Sequence, residues 1–168
     1  MKKLQAAMEY LMTYGWAILI IALALGVLYS LGVLNPSRLK PVMCQFPAPF
    51  TCSNPTANTG GVVTITLGQG SGQTITINGV ACVDNSLIDP STGLPKSVGW
   101  TTLSNPVTIG SGGTATLTPI QCYASDESLW SGPIGSVFSG SLIINYAMGS
   151  SNTPYYTAGS ISVQVTQV

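Results

Sequence analysis

Residues 11–34 read LMTYGWAILIIALALGVLYSLGVL, 24 residues without a charge. As a helix this stretch would extend about 36 Å at ~1.5 Å per residue, and a hydrocarbon core is ~30 Å thick. Its apolar residues fall on every side rather than along one stripe. Such a rod is surrounded by lipid or by other protein. The expectation is a long hydrophobic helix, a transmembrane helix before any assembly. Pro36 biases Asn35 away from helical geometry and supplies a stop.

The charges are placed around this run. Lys2, Lys3 and Glu9 precede it, and Arg38 and Lys40 follow it. Residues 41–168 hold only Lys96 against Asp84, Asp89, Asp126 and Glu127, a net charge of −3. Charged residues are 6% of the whole chain, where an ordinary soluble protein has about 25%. The polar space is filled instead by 19 Ser, 18 Thr and 19 Gly. There is no lysine or arginine excess to neutralise phosphates, so a nucleic-acid partner is excluded. The chain has no histidine, so a histidine-dependent active site or His-ligated metal is impossible.

Three readings of the N-terminal segment compete. A secretory signal would use Ala22-Leu23-Ala24 as its cleavage site, but the apolar run continues ten residues beyond it to Leu34. A single-span anchor is not oriented by its flanks, because two basic residues lie on each side. The third reading is a helix held first in the membrane and later packed into a polymer. Glu9 separates the last two. A plain anchor gains nothing from a carboxylate there, and burying one unpaired costs several kcal/mol. A neighbouring chain that supplies a positive charge changes that balance.

The start of the chain, Lys2-Lys3-Leu4-Gln5-Ala6-Ala7-Met8-Glu9-Tyr10 followed by Leu-Met-Thr-Tyr-Gly-Trp-Ala, resembles the class III signal of archaeal type IV pilins. The resemblance covers roughly residues 1–36. It rests on a basic pair, a cut site before Gln5, a glutamate five residues into the mature chain and an unbroken apolar helix. It implies a membrane aspartyl peptidase that cuts between Leu4 and Gln5 on the cytoplasmic side and leaves the helix attached. Many pilins carry a small residue before the cut, where this chain has Leu4. Cleavage would free an amine on Gln5, and Glu9 of an adjacent subunit or of the same one would be its partner. Such a pair in a low-dielectric bundle sets axial register more than it adds net stability. An assembly ATPase and a polytopic platform protein are further partners that the resemblance implies.

Helix packing has support from the residues themselves. Ala22 and Gly26 form a small-xxx-small pair, and Gly15 adds another point of close approach, as do Ala17, Ala24 and Gly32. Tyr10, Tyr14 and Trp16 cluster near the cytoplasmic end, as an aromatic belt before assembly and as packing anchors after it.

Residues 36–55 are proline-rich and read as a collar with little ladder capacity. Strand signals follow. Val63, Ile65 and Leu67 alternate with threonines, as do Ile75 and Ile77, with a turn or bulge at Asn78-Gly79 before Val80 and Cys82. Further runs are Val107–Ile109, Thr114–Leu117 leading to Ile120 and Cys122, Leu142–Tyr146 and Ile161–Val165. Some seven short strands predict an antiparallel β-sandwich of Ig-like architecture. The fold class expected is therefore α+β, a long N-terminal helix followed by a sandwich head. Its parts are a cleaved leader 1–4, a helix 5–35, a collar 36–55 and an extracellular domain 56–168.

Cys44, Cys52, Cys82 and Cys122 all lie on the side expected outside the cell, and an even count there suggests two disulfides. Three connectivities are possible. Cys44–Cys52 would close the stiff QFPAPFT loop, Cys82–Cys122 would tie two strands, and these are favoured. No catalytic, cofactor or metal site emerges. Asp126 and Glu127 are adjacent and read as solvated charges, and Asp84 with Asp89 is a thin ligand set for calcium. No Asn-x-Ser/Thr acceptor is present, because Asn35 and Asn54 are each followed by proline. With the pilin-like start, these features lead to the expectation of a non-enzymatic subunit of a homopolymeric pilus for surface or cell adhesion, as the resemblance implies. It would begin as a precursor in the cytoplasmic membrane and end in an extracellular filament. The alternatives are a non-polymerising anchored β-sandwich that binds a carbohydrate or protein, and an archaellin-type motility filament subunit.

Overall fold

The computed structural model describes residues 2–31 and 41–167. The chain divides into two compact units, Met1–Leu39 and Lys40–Val168. In the first, helix α1 spans Lys2–Ser30. Its last turn closes on itself. The Leu31 amide donates to the Val27 carbonyl at 2.9 Å, and the Ser30 hydroxyl donates to the same oxygen at 2.8 Å. These bonds occupy a carbonyl that a helix end would otherwise leave unpaired. The expected stop at Asn35 and Pro36 lies outside the described residues.

The expectation of a transmembrane helix is corrected. Among the described residues no helix is long and apolar enough to cross a membrane. The helix as described ends at Ser30, and Tyr14, Tyr29 and Ser30 bring hydroxyls into both ends of its apolar run. Between them, Trp16–Leu28 covers only about 20 Å at ~1.5 Å per residue, short of a ~30 Å hydrocarbon core.

The second unit is built from eight strands: β1 Met43–Gln45, β2 Phe50–Ala57, β3 Val62–Gln69, β4 Ile75–Val83, β5 Trp100–Ile109, β6 Thr114–Tyr123, β7 Val137–Met148 and β8 Tyr155–Gln164. They form a sheet in the order β1-β8-β7-β4-β6-β3-β2, with β5 pairing β4 off that path. The expected α+β chain with an antiparallel Ig-like sandwich is thereby corrected. The fold is mostly β, and the sheet curls into a nearly closed barrel. The reason lies in β4. One edge pairs β7 along its whole length, from Ile75 to Val83. The other edge pairs β5 as far as Ala81, and then β6 takes over in parallel, Cys82 against Cys122 and Val83 against Tyr123. Two separate layers would need that edge to be free.

Closing such a sheet leaves two seams, and each holds a disulfide. Cys82–Cys122 ties β4 to β6 with Cα atoms 4.5 Å apart. Cys44–Cys52 ties the terminal strands β1 and β2 with Cα atoms 5.5 Å apart. A parallel bridge between Ala57 and Val165 brings β2 against the end of β8, and the Thr166 amide donates to the Ala57 carbonyl at 2.9 Å.

Two strands lie in the stretch whose prolines argued for a collar. β2 reads FTCSNPTA, and its register on β3 shifts between Ser53 and Thr56, so Pro55 sits where the ladder is already interrupted. The same holds for the other prolines inside strands. Pro106 of β5 lies in the break that sets Val107 against Ile77 and Thr102 against Gly79. Pro119 of β6 lies between Leu117 and Ile120, where the register on β3 shifts. A missing N–H costs nothing where no partner faces it.

These breaks also reset which face is buried. In β4 the inward residues are Ile75 and Ile77 before the bulge, then Val80 and Cys82 after it; in β6 they are Leu117, then Ile120 and Cys122. An extra residue in a strand flips every later side chain unless such a bulge absorbs it. The interior is completed by Val63, Ile65 and Leu67 of β3, by Phe138, Leu142, Ile144 and Tyr146 of β7, and by Ile161 and Val163 of β8. A second, smaller cluster of Ala81, Val83, Leu87 and Ile143 lies apart from it and packs against Ile88, Leu94 and Val98 of the β4–β5 connection.

The disulfides differ in the chain they close, with sequence separations of 40 and 8 residues. Replacing Cys82 and Cys122 by alanine is expected to cost about 4 kcal/mol, and replacing Cys44 and Cys52 about 2.5 kcal/mol, by loop entropy alone. Denaturant unfolding of the two double variants checks the order. Leu67→Ala, at a fully buried position, is expected to cost about 2–5 kcal/mol in the same measurement.

Candidate functional site

The most prominent candidate surface is α1. Every side chain described along it is exposed, from Met12 through Tyr14–Ser30. Trp16 is 72% accessible, Ile18 63%, Leu23 62% and Tyr29 78%. Isolated apolar residues on a surface are ordinary, but a contiguous apolar surface of this size marks an interaction site. The small residues singled out from sequence share one side of it. At ~100° per residue, Gly15, Ala22 and Gly26 lie within about 40° of one another around the axis. Nothing within 4 Å would meet a side chain placed at Gly15 or Gly26. The strip is thus a shallow groove in which another helix backbone can approach closely. Leu4, Gln5 and Glu9 belong to α1, and their side chains lie outside the described residues.

Among the described residues of the β unit the charges gather on two connections. Asp84, Asp89 and Lys96 lie between β4 and β5, and Asp126 and Glu127 lie between β6 and β7. The Ser97 hydroxyl donates to Glu127 Oε1 at 3.2 Å and links the two. Lys96 Nζ donates to the Ser86 carbonyl at 2.9 Å. Each aspartate serves its own turn. Asp84 Oδ1 accepts from the Ser86 amide, Asp89 Oδ1 from the amide and hydroxyl of Ser91, and Asp126 Oδ1 from those of Ser128. The signal for this in the sequence is a thrice-repeated Asp-x-Ser, the pattern of an Asx turn. The calcium reading of Asp84 with Asp89 loses its basis, since both carboxylates are engaged by backbone two residues on. Among the described residues no three His, Cys, Asp or Glu side chains come together as a metal site.

Among the described residues, one cleft of about 340 Å³ is lined by Thr101, Leu103, Asn105 and Val107 of β5 and by Thr118 and Pro119 of β6. Another, about 240 Å³, is lined by Asp84, Ser125, Trp130, Phe138 and Ser139. Neither brings a nucleophile to a base. Inside the barrel Tyr146 packs edge-on against Phe50 at 5.0 Å and beside Tyr155 at 5.8 Å. Burial, with Tyr155 adding to it, pushes the Tyr146 phenol above its usual range.

No family model matches the chain, and no curated protein matches it. Among solved structures, a β-glucosidase from Listeria innocua in complex with glucose aligns at 13% identity and a TM-score of 0.25, over 74% of this chain and 17% of that one. A β-glucosidase from Erythrobacter marinus aligns at 10% identity and a TM-score of 0.25, over 73% and 15%. The chain therefore spans about a sixth of the length of these structures.

The serine bonds hold Asp89 and Asp126 below the usual carboxylate range, the hydroxyl of Ser91 or Ser128 contributing most and its amide next. A carboxylate whose folded pKa is depressed stabilises the fold above its unfolded pKa. That contribution is lost as pH falls through the folded value. Ser91→Ala and Ser128→Ala are each expected to move the neighbouring aspartate up toward its ordinary pKa, as read by carboxyl-carbon NMR titration.

Proposed function

We propose that this chain is a structural subunit of an archaeal type IV-like pilus, with α1 forming the filament core and the β barrel its outer sheath. The observation that carries the reading is the exposed apolar surface of α1. Covering one exposed Leu or Ile side chain is worth about 1.5–3 kcal/mol, and α1 presents many of them on all sides. A rod of this kind is satisfied by other rods like it, and the groove at Gly15, Ala22 and Gly26 provides the close approach that such packing needs. The class III-like start adds a processing step. A peptidase removes residues 1–4, and the amine exposed on Gln5 pairs with Glu9 of a neighbouring or the same subunit. The assembly ATPase and platform protein complete the set of partners. The two disulfides suit an oxidising, extracellular location. The near absence of charge on the strands gives a surface that repels its own copies weakly, as a polymer requires.

Mass spectrometry of filaments sheared from the cell surface is expected to find the chain beginning at Gln5. Glu9→Gln is expected to lower filament yield on the order of tenfold, because an unpaired amine in an apolar bundle is costly. Ala22→Leu, which fills the groove, is expected to do the same with the β unit still folded. Normal filaments from both variants, or chains recovered only singly with residues 1–4 in place, would overturn the reading.

A further inference from the structure

We propose that the outer face of the barrel at Trp100, Asn145 and Tyr156 binds a neutral carbohydrate, one pyranose ring resting against the two aromatic side chains. The site is assembled across four strands. Tyr156 of β8 stands opposite Asn145 of β7, which stands opposite Gly79 of β4. Trp100 of β5 leans over Gly79, where an added Cβ would lie 3.6 Å from its indole. Strands β5 and β8 are three positions apart, about 14 Å at ~4.8 Å per step. Their two rings nevertheless meet, with centroids 5.9 Å apart. They roof a floor that consists of a bare glycine and one amide.

Two features of this roof point to a ligand. Trp100 and Tyr156 are large rings and remain 39% and 46% exposed. Beneath them, Asn145 Oδ1 is shut from solvent with no hydrogen-bond partner. A buried acceptor without a donor is uncommon and calls for an explanation. A donor that reaches it as the two rings part supplies one.

The chemistry of that donor is constrained. Strands β4, β5, β7 and β8 carry no charged residue, so the face attracts neither phosphates nor acidic sugars. An apolar contact from a second copy would cover the rings and leave Asn145 unsatisfied. A pyranose meets both demands at once: its C–H face packs on the aromatic rings, and an edge hydroxyl donates to Asn145 Oδ1.

This inference does not depend on filament formation, and its test uses dispersed chains. The full chain is held in a detergent without a sugar headgroup and offered hexasaccharides of glucose, mannose, galactose and N-acetylglucosamine. Binding is followed by saturation-transfer NMR and titration. At least one hexasaccharide is expected to bind with a Kd on the order of 0.01–1 mM, the range of a single stacked sugar. Trp100→Ala and Asn145→Ala are each expected to weaken it by about tenfold or more, and Ile134→Ser, at an exposed position away from this face, to leave it unchanged. If Trp100→Ala does not fold, Tyr156→Ser, at a half-exposed position, carries the same expectation. The proposal is overturned if no hexasaccharide binds at 10 mM by the same measurement, if the variants bind as the parent does, or if Trp100→Ala changes only self-association of the chain, which would make this face a contact between copies.

Discussion

A sheet that curls until its ends approach must be held at two places, and here each holding point carries a sulfur–sulfur bond. One joins the outermost strands, β1 and β2. The other joins β4 to β6, where the sheet changes from antiparallel to parallel. The rest of the barrel depends on these two crosslinks. The parallel contact is only two residue pairs long, too short to hold a seam through its ladder bonds alone. β1 is only three residues long and would otherwise rest on β8 alone. A unit with few charges and abundant glycine has little else to restrict its unfolded chain, so crosslinks contribute a large share of its stability.

The prolines and bulges show how a sequence rich in breakers still makes long strands. Pro55, Pro106 and Pro119 each coincide with a shift in register. Each break does two jobs. It removes the need for the missing amide, and it rephases the alternation so that the next apolar residues point inward again. The Leu117-to-Ile120 step in β6 is the clearest case, because a strict period of two would have put Ile120 outside.

Much of the barrel was legible in the alternation of Val63–Leu67, Ile75–Ile77, Leu142–Tyr146 and Ile161–Val165, because burial on one face writes itself as a period of two. β2 was not, since its inward residues Phe50 and Ala57 flank a bulge and the period never develops. The architecture was not legible either. Choosing between a sandwich and a barrel turns on two residue pairs, Cys82–Cys122 and Val83–Tyr123, and no local pattern encodes a long-range parallel contact. The candidate sites divided in the same way. The apolar rod and its small residues are properties of a contiguous stretch. The Trp100–Asn145–Tyr156 face joins three residues of separate strands, and Trp100 and Tyr156 could be brought together only by knowing which strands neighbour which.

One consequence of the strand order concerns how this molecule comes into being. β1 is the first strand of the chain, and its ladder partner β8 is the last. A polypeptide delivered from its N-terminus, whether by a ribosome or through a translocation channel, cannot seat β1 until Ser160–Ser162 of β8 have arrived. Until then the sheet is an unclosed ribbon with bare edges, and pairings this distant are slow to form. The thiols of Cys44 and Cys52, only eight residues apart, can meet long before that and hold β1 and β2 together in readiness for the last strand.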